Sequence, residues 1–201
     1  MSDKISDKVV ELLREFKIRR PPVPVDRIAK KLGILLAPLP GDDEISGAIV
    51  RKDGHVVIAV NPAHHLNRQR FTIAHELGHY FLHDGLEEHV DQNFRVAWRN
   101  AESSKAVNWV EIQANRFAAE LLMPTSFIES DLDQLQMIDK RAVALLAAKY
   151  AVSAEAMKIR LSQLGIVGPY RSRRRGTGFQ SPGIRPGLES SVRPVTRNSI
   201  P

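Results

Sequence analysis

His75-Glu76-Leu77-Gly78-His79 places two imidazoles four residues apart with a carboxylate directly after the first. On a helix, positions i and i+4 lie on one face, a turn apart. Both rings can therefore aim a nitrogen at a single metal ion. Glu76 can lean toward a water at that metal without displacing it. Zinc lowers the pKa of such a water to about 7, and a carboxylate then suffices to take its proton. The spacing implies metal-assisted hydrolysis, most often of a peptide bond.

The bare pattern is a weak signal, and its flanks strengthen it. Asn67 can cap a helix that runs from Arg68 through the motif to His83. Phe71, Ala74, Gly78, Phe81 and Leu82 form a small or apolar face at helical spacing, and no proline interrupts them. Gly78 weakens a helix by about 1 kcal/mol against Ala. Its expected compensation is room beside a metal.

A catalytic zinc takes three protein ligands and keeps one open position. Four residues after the motif could supply the third: His83, Asp84, His89 and Glu111. The metzincin pattern fails, because Leu82 and Gly85 stand where Gly and His would be needed. His83 lies eight residues after His75, which turns it about 80° away on a 3.6-residue helix. Glu111 sits on a second helical stretch, where positions 111, 114, 115, 118 and 122 share a mostly small or apolar face. A carboxylate aimed into such a face is costly unless it meets a cation. Asn108-x-x-Glu111 also reads as a capping box. Spacing alone leaves ligand and cap open.

The motif in Phe71-Thr72-Ile73-Ala74-His75-Glu76-Leu77-Gly78-His79, together with Glu111-x-x-Ala114-Asn115-x-Phe117-Ala118-Ala119-x-Leu121-Leu122-Met123-Pro124, resembles the ImmA/IrrE-type metallopeptidase family. The joint pattern is far more specific than HExxH, and the resemblance covers roughly residues 20–165. It implies zinc ligands His75, His79 and Glu111, with Glu76 as general base. It also implies a regulatory protease whose substrate is one protein, a helix-turn-helix transcriptional repressor.

Composition sets bounds. There is no cysteine, so disulfides and thiolate ligands are excluded and a metal must be held by His, Asp or Glu. Zinc is the expected ion, although imidazole and carboxylate also accept manganese and iron. The first residues lack an apolar signal-peptide core, and no apolar run approaches the ~18 residues of a membrane span. A cytoplasmic protein without membrane contact is expected. The net charge of +6 is localised: residues 169–201 hold seven arginines and one acid, while the other 168 residues carry 22 basic and 22 acidic side chains. That segment is rich in Pro, Gly and Ser and reads as a disordered tail.

Working outward, the pattern predicts an α+β protein: a zincin-like core with a small antiparallel sheet on the HExxH helix, then a C-terminal helical region. Ile5, Val9, Leu12, Leu13 and Phe16 predict a helix over 3–17. Asp26 is the expected cap of a short helix over 27–32. Strands are predicted over 34–37, 45–51 and 55–60, the last two joined by a Lys52-Asp53-Gly54 hairpin. An irregular segment follows over about 84–105. Helices over 140–150 and 154–164, the second capped by Ser153, resemble a helix-turn-helix, but the apolar faces supplied by Leu145, Leu146, Met157, Leu161 and Leu164 favour a helical pair packed on the core. The units are then 1–20 (N-terminal helix), 21–125 (core), 126–168 (helical region) and 169–201 (tail).

Zincin-like proteases often hold substrate as a strand added to the sheet edge beside the active-site helix, which would put 55–60 or its neighbour along the cleft. His83, Tyr80 and Arg116 are candidates for cleft or transition-state contacts, His83 foremost. Two rival functions stand beside the protease. One is a non-catalytic module that binds a repressor around a structural metal. The other is a DNA-binding regulator using 140–165 and the basic tail. Lys158, Arg160 and Gln163 would be a thin basic patch for that role, and direct nucleic-acid binding is expected to be weak.

Overall fold

A computed structural model of the protein describes residues 4–39, 45–83, 88–92, 105–133, 135 and 137–166, with backbone alone for 88–92 and 105–108. The predicted tail and Asp84 lie outside these residues. In chain order the elements are α1 (Lys4–Glu15), α2 (Val25–Lys31), β1 (Leu35–Pro38), β2 (Ile45–Lys52), β3 (His55–Val60) and α3 (Leu66–Leu82). They continue with β4 (Glu88–Gln92), α4 (Lys105–Leu122), α5 (Thr125–Leu132), α6 (Lys140–Tyr150) and α7 (Ala154–Gln163). The fold is mixed α+β.

Four strands form one sheet in the order β1-β3-β2-β4. β2 and β3 form the predicted hairpin, with Asp53 and Gly54 both at positive φ as a tight two-residue turn demands. β1 lies parallel to β3, pairing Leu35 with Val57 and Pro38 with Val60, so the sheet is not purely antiparallel as expected. The reason is directional. The hairpin reverses the chain, β3 therefore runs the way β1 does, and the other edge of β2 is occupied by β4. β3 is consequently an interior strand, so of the two alternatives for a strand edge along a cleft only its neighbour β1 remains.

β4 falls inside the stretch read as irregular. Glu88-His89-Val90-Asp91-Gln92 has one apolar residue and no alternation. Pairing with β2, Ile49 opposite His89, makes it a strand. α5 was also absent from the sequence reading. It begins after Pro124, and the Glu120 carboxylate accepts from the Thr125 backbone N–H at 3.1 Å, which caps it from outside.

Helix starts differ in detail. α3 begins at Leu66, and His65 is its N-cap, with Nδ1 accepting from Asn67 N–H at 3.2 Å. Asn67 is thus inside the first turn. Pro24 precedes α2, and its carbonyl accepts from Arg27 and Ile28, so Asp26 is not the cap. Ser153 does cap α7, its Oγ accepting from Ala156 N–H at 3.0 Å.

One buried apolar cluster includes Leu12 of α1, Ile28 of α2, Ile49 and Ile58 of the sheet, Leu77 of α3 and Phe117 and Leu121 of α4. It continues through Ile128 of α5, Tyr150 of α6 and Met157 of α7. Each such side chain contributes about 1.5–3 kcal/mol on burial. α6 and α7 are packed into this core, but Leu145, expected to supply an apolar face, is 62% exposed. Arg160, expected on the solvent side, is buried and paired with Glu120, so the anticipated basic patch loses its central residue.

Candidate metal centre

α3 packs against α4 on one side and β2 on the other. Gly78 explains how closely α4 approaches. A methyl group there would lie 2.9 Å from Ala114 Cα and 3.0 Å from its carbonyl oxygen. The room left by Gly78 is therefore filled by the backbone of α4, not kept open beside a metal as expected. Gly47 plays the same part for β2: a side chain at that position would collide with Thr72 and fall 2.8 Å from the Ala59 carbonyl oxygen.

These approaches bring His75, His79 and Glu111 together, with one donor atom from each within 4.8 Å of the others. His75 Nε2 and His79 Nε2 are 3.0 Å apart. Glu111 faces both rings, with Oε2 3.3 Å from His75 Nε2 and Oε1 3.4 Å from His79 Nε2. Two imidazole nitrogens on one tetrahedral zinc lie roughly 3.3 Å apart, since each Zn–N bond is about 2.0–2.1 Å. The spacing and the chemistry of the donors fit a small divalent cation. The histidine side chains are at most 1% exposed and Glu111 is 16% exposed, so the cluster is reached from the Glu111 side.

The capping-box reading of Glu111 does not apply. α4 starts at Lys105, so Asn108 and Glu111 both lie inside the helix, past the end amides a box would satisfy. Ala114, Asn115, Ala118 and Leu122, the rest of its face, are all buried.

Glu76 is completely buried, and its Oε1 lies against β2, 3.8 Å from where a side chain at Gly47 would begin. Arg51 of β2 ties the strand to the end of α3, donating from Nη2 to the His79 carbonyl at 3.0 Å. Its guanidinium also stands 5.8 Å from the centre of the Tyr80 ring. Tyr80, a cleft candidate from sequence, packs between Arg51 and Phe81. Arg116, the second, is about 140° around α4 from Glu111. It lines a groove with Ser6, Asn115, Glu120, Arg160 and Gln163.

His83, the third, ends α3. Its Nδ1 is 3.2 Å from His79 Nδ1, and its Nε2 is 3.0 Å from Gln113 Oε1. It therefore meets His79 on the edge away from Glu111. His75 Nδ1 donates to Asn115 Oδ1 at 2.9 Å. Asn115 and Gln113 were missed as site residues. Asn115 had a legible signal, four residues after Glu111 on the same face. Gln113 had none, being two residues from Glu111 and so off that face.

The family model described as IrrE N-terminal-like domain matches residues 29–162. The metallopeptidase ImmA of Bacillus subtilis is 36% identical over 101 residues, covering 50% of this chain and 53% of that protein. The radiation response metalloprotease IrrE of Deinococcus radiodurans is 32% identical over 136 residues, covering 64% of this chain and 39% of that protein. The chain thus spans only part of the length of these relatives. A Mycobacterium tuberculosis transcriptional regulator shares the fold with a TM-score of 0.56 over 86% of this chain and 48% of its own, at 19% identity. Among the described residues, no helix is long and apolar enough to cross a membrane.

Proposed function

The chain belongs to the IrrE N-terminal-like family, and from that premise we propose that it is a zinc-dependent endopeptidase with His75, His79 and Glu111 as ligands and Glu76 as general base. The convergence of two imidazoles and one carboxylate beside a buried Glu76 is the observation that carries this reading. Zinc held there would polarise the scissile carbonyl and acidify the attacking water. Glu76 takes the proton of that water and hands it to the leaving amine nitrogen. His75 and His79 present Nε2 lone pairs, and Glu111 offsets charge on the open side. Zincin-like residues 21–125 carry the site, and 126–168 form the helical region packed on it.

The substrate is one protein, a helix-turn-helix transcriptional repressor whose cleavage relieves repression in the cytoplasm. Family resemblance supports this, and the two relatives support by name the metallopeptidase activity it presupposes. Direct DNA reading by 140–165 is less well supported, because Arg160 is engaged with Glu120 inside the protein.

The test is elemental analysis of the parent, Glu111→Ala and Glu76→Gln, beside a scan for new protein N-termini in a lysate treated with each. About one zinc per chain is expected in the parent and in Glu76→Gln, with most of it lost from Glu111→Ala. New N-termini should appear with the parent alone. Repressor inactivation that survives Glu76→Gln would replace proteolysis with sequestration. Manganese or iron in place of zinc would keep the site and change its metal.

A further inference from the structure

A histidine binds a metal through a nitrogen lone pair, so its other nitrogen must carry the proton and needs an acceptor. For His75 that acceptor is Asn115 Oδ1, 2.9 Å from Nδ1. His79 has a different arrangement. Its Nδ1 meets another ring nitrogen, His83 Nδ1, at 3.2 Å. One proton must lie between them. If His79 Nδ1 keeps it, His83 Nδ1 is the acceptor, and the proton of neutral His83 sits on Nε2. Gln113 Oε1, 3.0 Å from that Nε2, is an acceptor and matches this assignment. The opposite one would need the Gln113 amide turned over so that its nitrogen donates to His83 Nε2.

We propose that Gln113 and His83 are positioning residues that hold His79 in its Nδ1–H tautomer, and so set how tightly the centre binds its metal. The inference rests on the metal-centre reading of His75, His79 and Glu111. The amide oxygen of Gln113 acts two rings away from the metal-facing nitrogen. Helix placement makes this possible. Gly78 stands between the two histidines of α3, Ala114 stands between Gln113 and Asn115 of α4, and Gly78 lies directly against the Ala114 backbone. α3 therefore carries the imidazoles, while α4 carries the carboxylate ligand and the two acceptors that end the proton chains. His83 is excluded as a ligand by the same geometry, since the His79 ring lies between it and Glu111.

The experiment is a zinc titration of the full chain against a chromophoric chelator, with the visible spectrum of the cobalt-loaded protein alongside. Gln113→Leu and His83→Phe keep bulk and remove the acceptor chain. They should bind zinc about 10–100-fold more weakly and alter the cobalt spectrum. Gln113→Glu keeps an oxygen in place and should restore parent affinity. Equal affinity in parent and Gln113→Leu would overturn the proposal. So would a Gln113→Glu protein as weak as Gln113→Leu, which would reduce Gln113 to packing. If the parent binds no zinc, the metal centre itself fails, and that result is distinct from both. Long-range 1H–15N spectra of the zinc-loaded parent read the tautomers with no substitution. Protons on His79 Nδ1 and His83 Nε2 are expected, and a proton on His83 Nδ1 would overturn the proposal.

Discussion

Tyr150 shows how a single side chain can carry a pH signature. It is fully buried, and its hydroxyl donates to Asp131 Oδ2 at 2.9 Å. Burial, reinforced by the Asp131 carboxylate, pushes the phenol well above its ordinary value of 10.0. The unfolded chain loses this proton near 10 and the folded chain keeps it. Stability from this group is therefore complete below that value and falls as pH rises through and beyond it. Urea denaturation at about pH 9 and about pH 11 should show a steeper loss in the parent than in Tyr150→Phe. Parallel losses would mean the phenol does not titrate differently in the two states. His75 and Glu76 were legible at this same scale, because HExxH is a local spacing that one helix satisfies alone. His83 was singled out from sequence as a cleft candidate, but its contact with Gln113 was not legible. Gln113 reaches it from another helix, and no single-helix periodicity links residues 83 and 113.

At the scale of elements, the contact between α3 and α4 governs the site. Replacing Gly78 with Ala favours the isolated helix by about 1 kcal/mol. Here the added methyl meets Ala114 backbone at 2.9 Å, which cannot rotate away. Overpacking of this kind costs about 1–3 kcal/mol. Gly78→Ala should therefore be less stable than the parent and bind zinc more weakly, since the same contact sets the distance from His75 and His79 to Glu111. Calorimetry and a zinc titration check both, and a more stable variant would contradict the contact. Elements with a strong periodic stripe, such as α1 with Ile5, Val9, Leu12 and Leu13, were readable from sequence. β4 was not, because its strand character comes from the open edge of β2 and its own side chains do not announce it.

Across the whole molecule, a buried ion pair joins the C-terminal helices to the helix that carries Glu111. Arg160 of α7 donates to Glu120 of α4 and also, at 3.1 Å, to the Met123 carbonyl. Neither charged side chain is more than 9% exposed. Removing one partner leaves the other charged and unsolvated, at a cost of about 3–5 kcal/mol. Arg160→Met should lose that much stability by denaturation, and adding Glu120→Gln should recover part of it. A single variant as stable as the parent would show that the pair is not desolvated.

Local spacing determined the HExxH helix, the hairpin, the two C-terminal helices with the Ser153 cap of the second, the absence of thiolate ligands and the confinement of net charge to 169–201. These depend on neighbours in the chain, and a few residues of context suffice to read them. Only the tertiary structure decided that β1 pairs in parallel with β3, that Glu111 lies in mid-helix facing both histidines, and that Asn115 and Gln113 end the proton chains. Those outcomes depend on how closely two helices and a sheet pack. Glycines at 47 and 78 permit that closeness, but their meaning appears only when the backbone opposite them is in place.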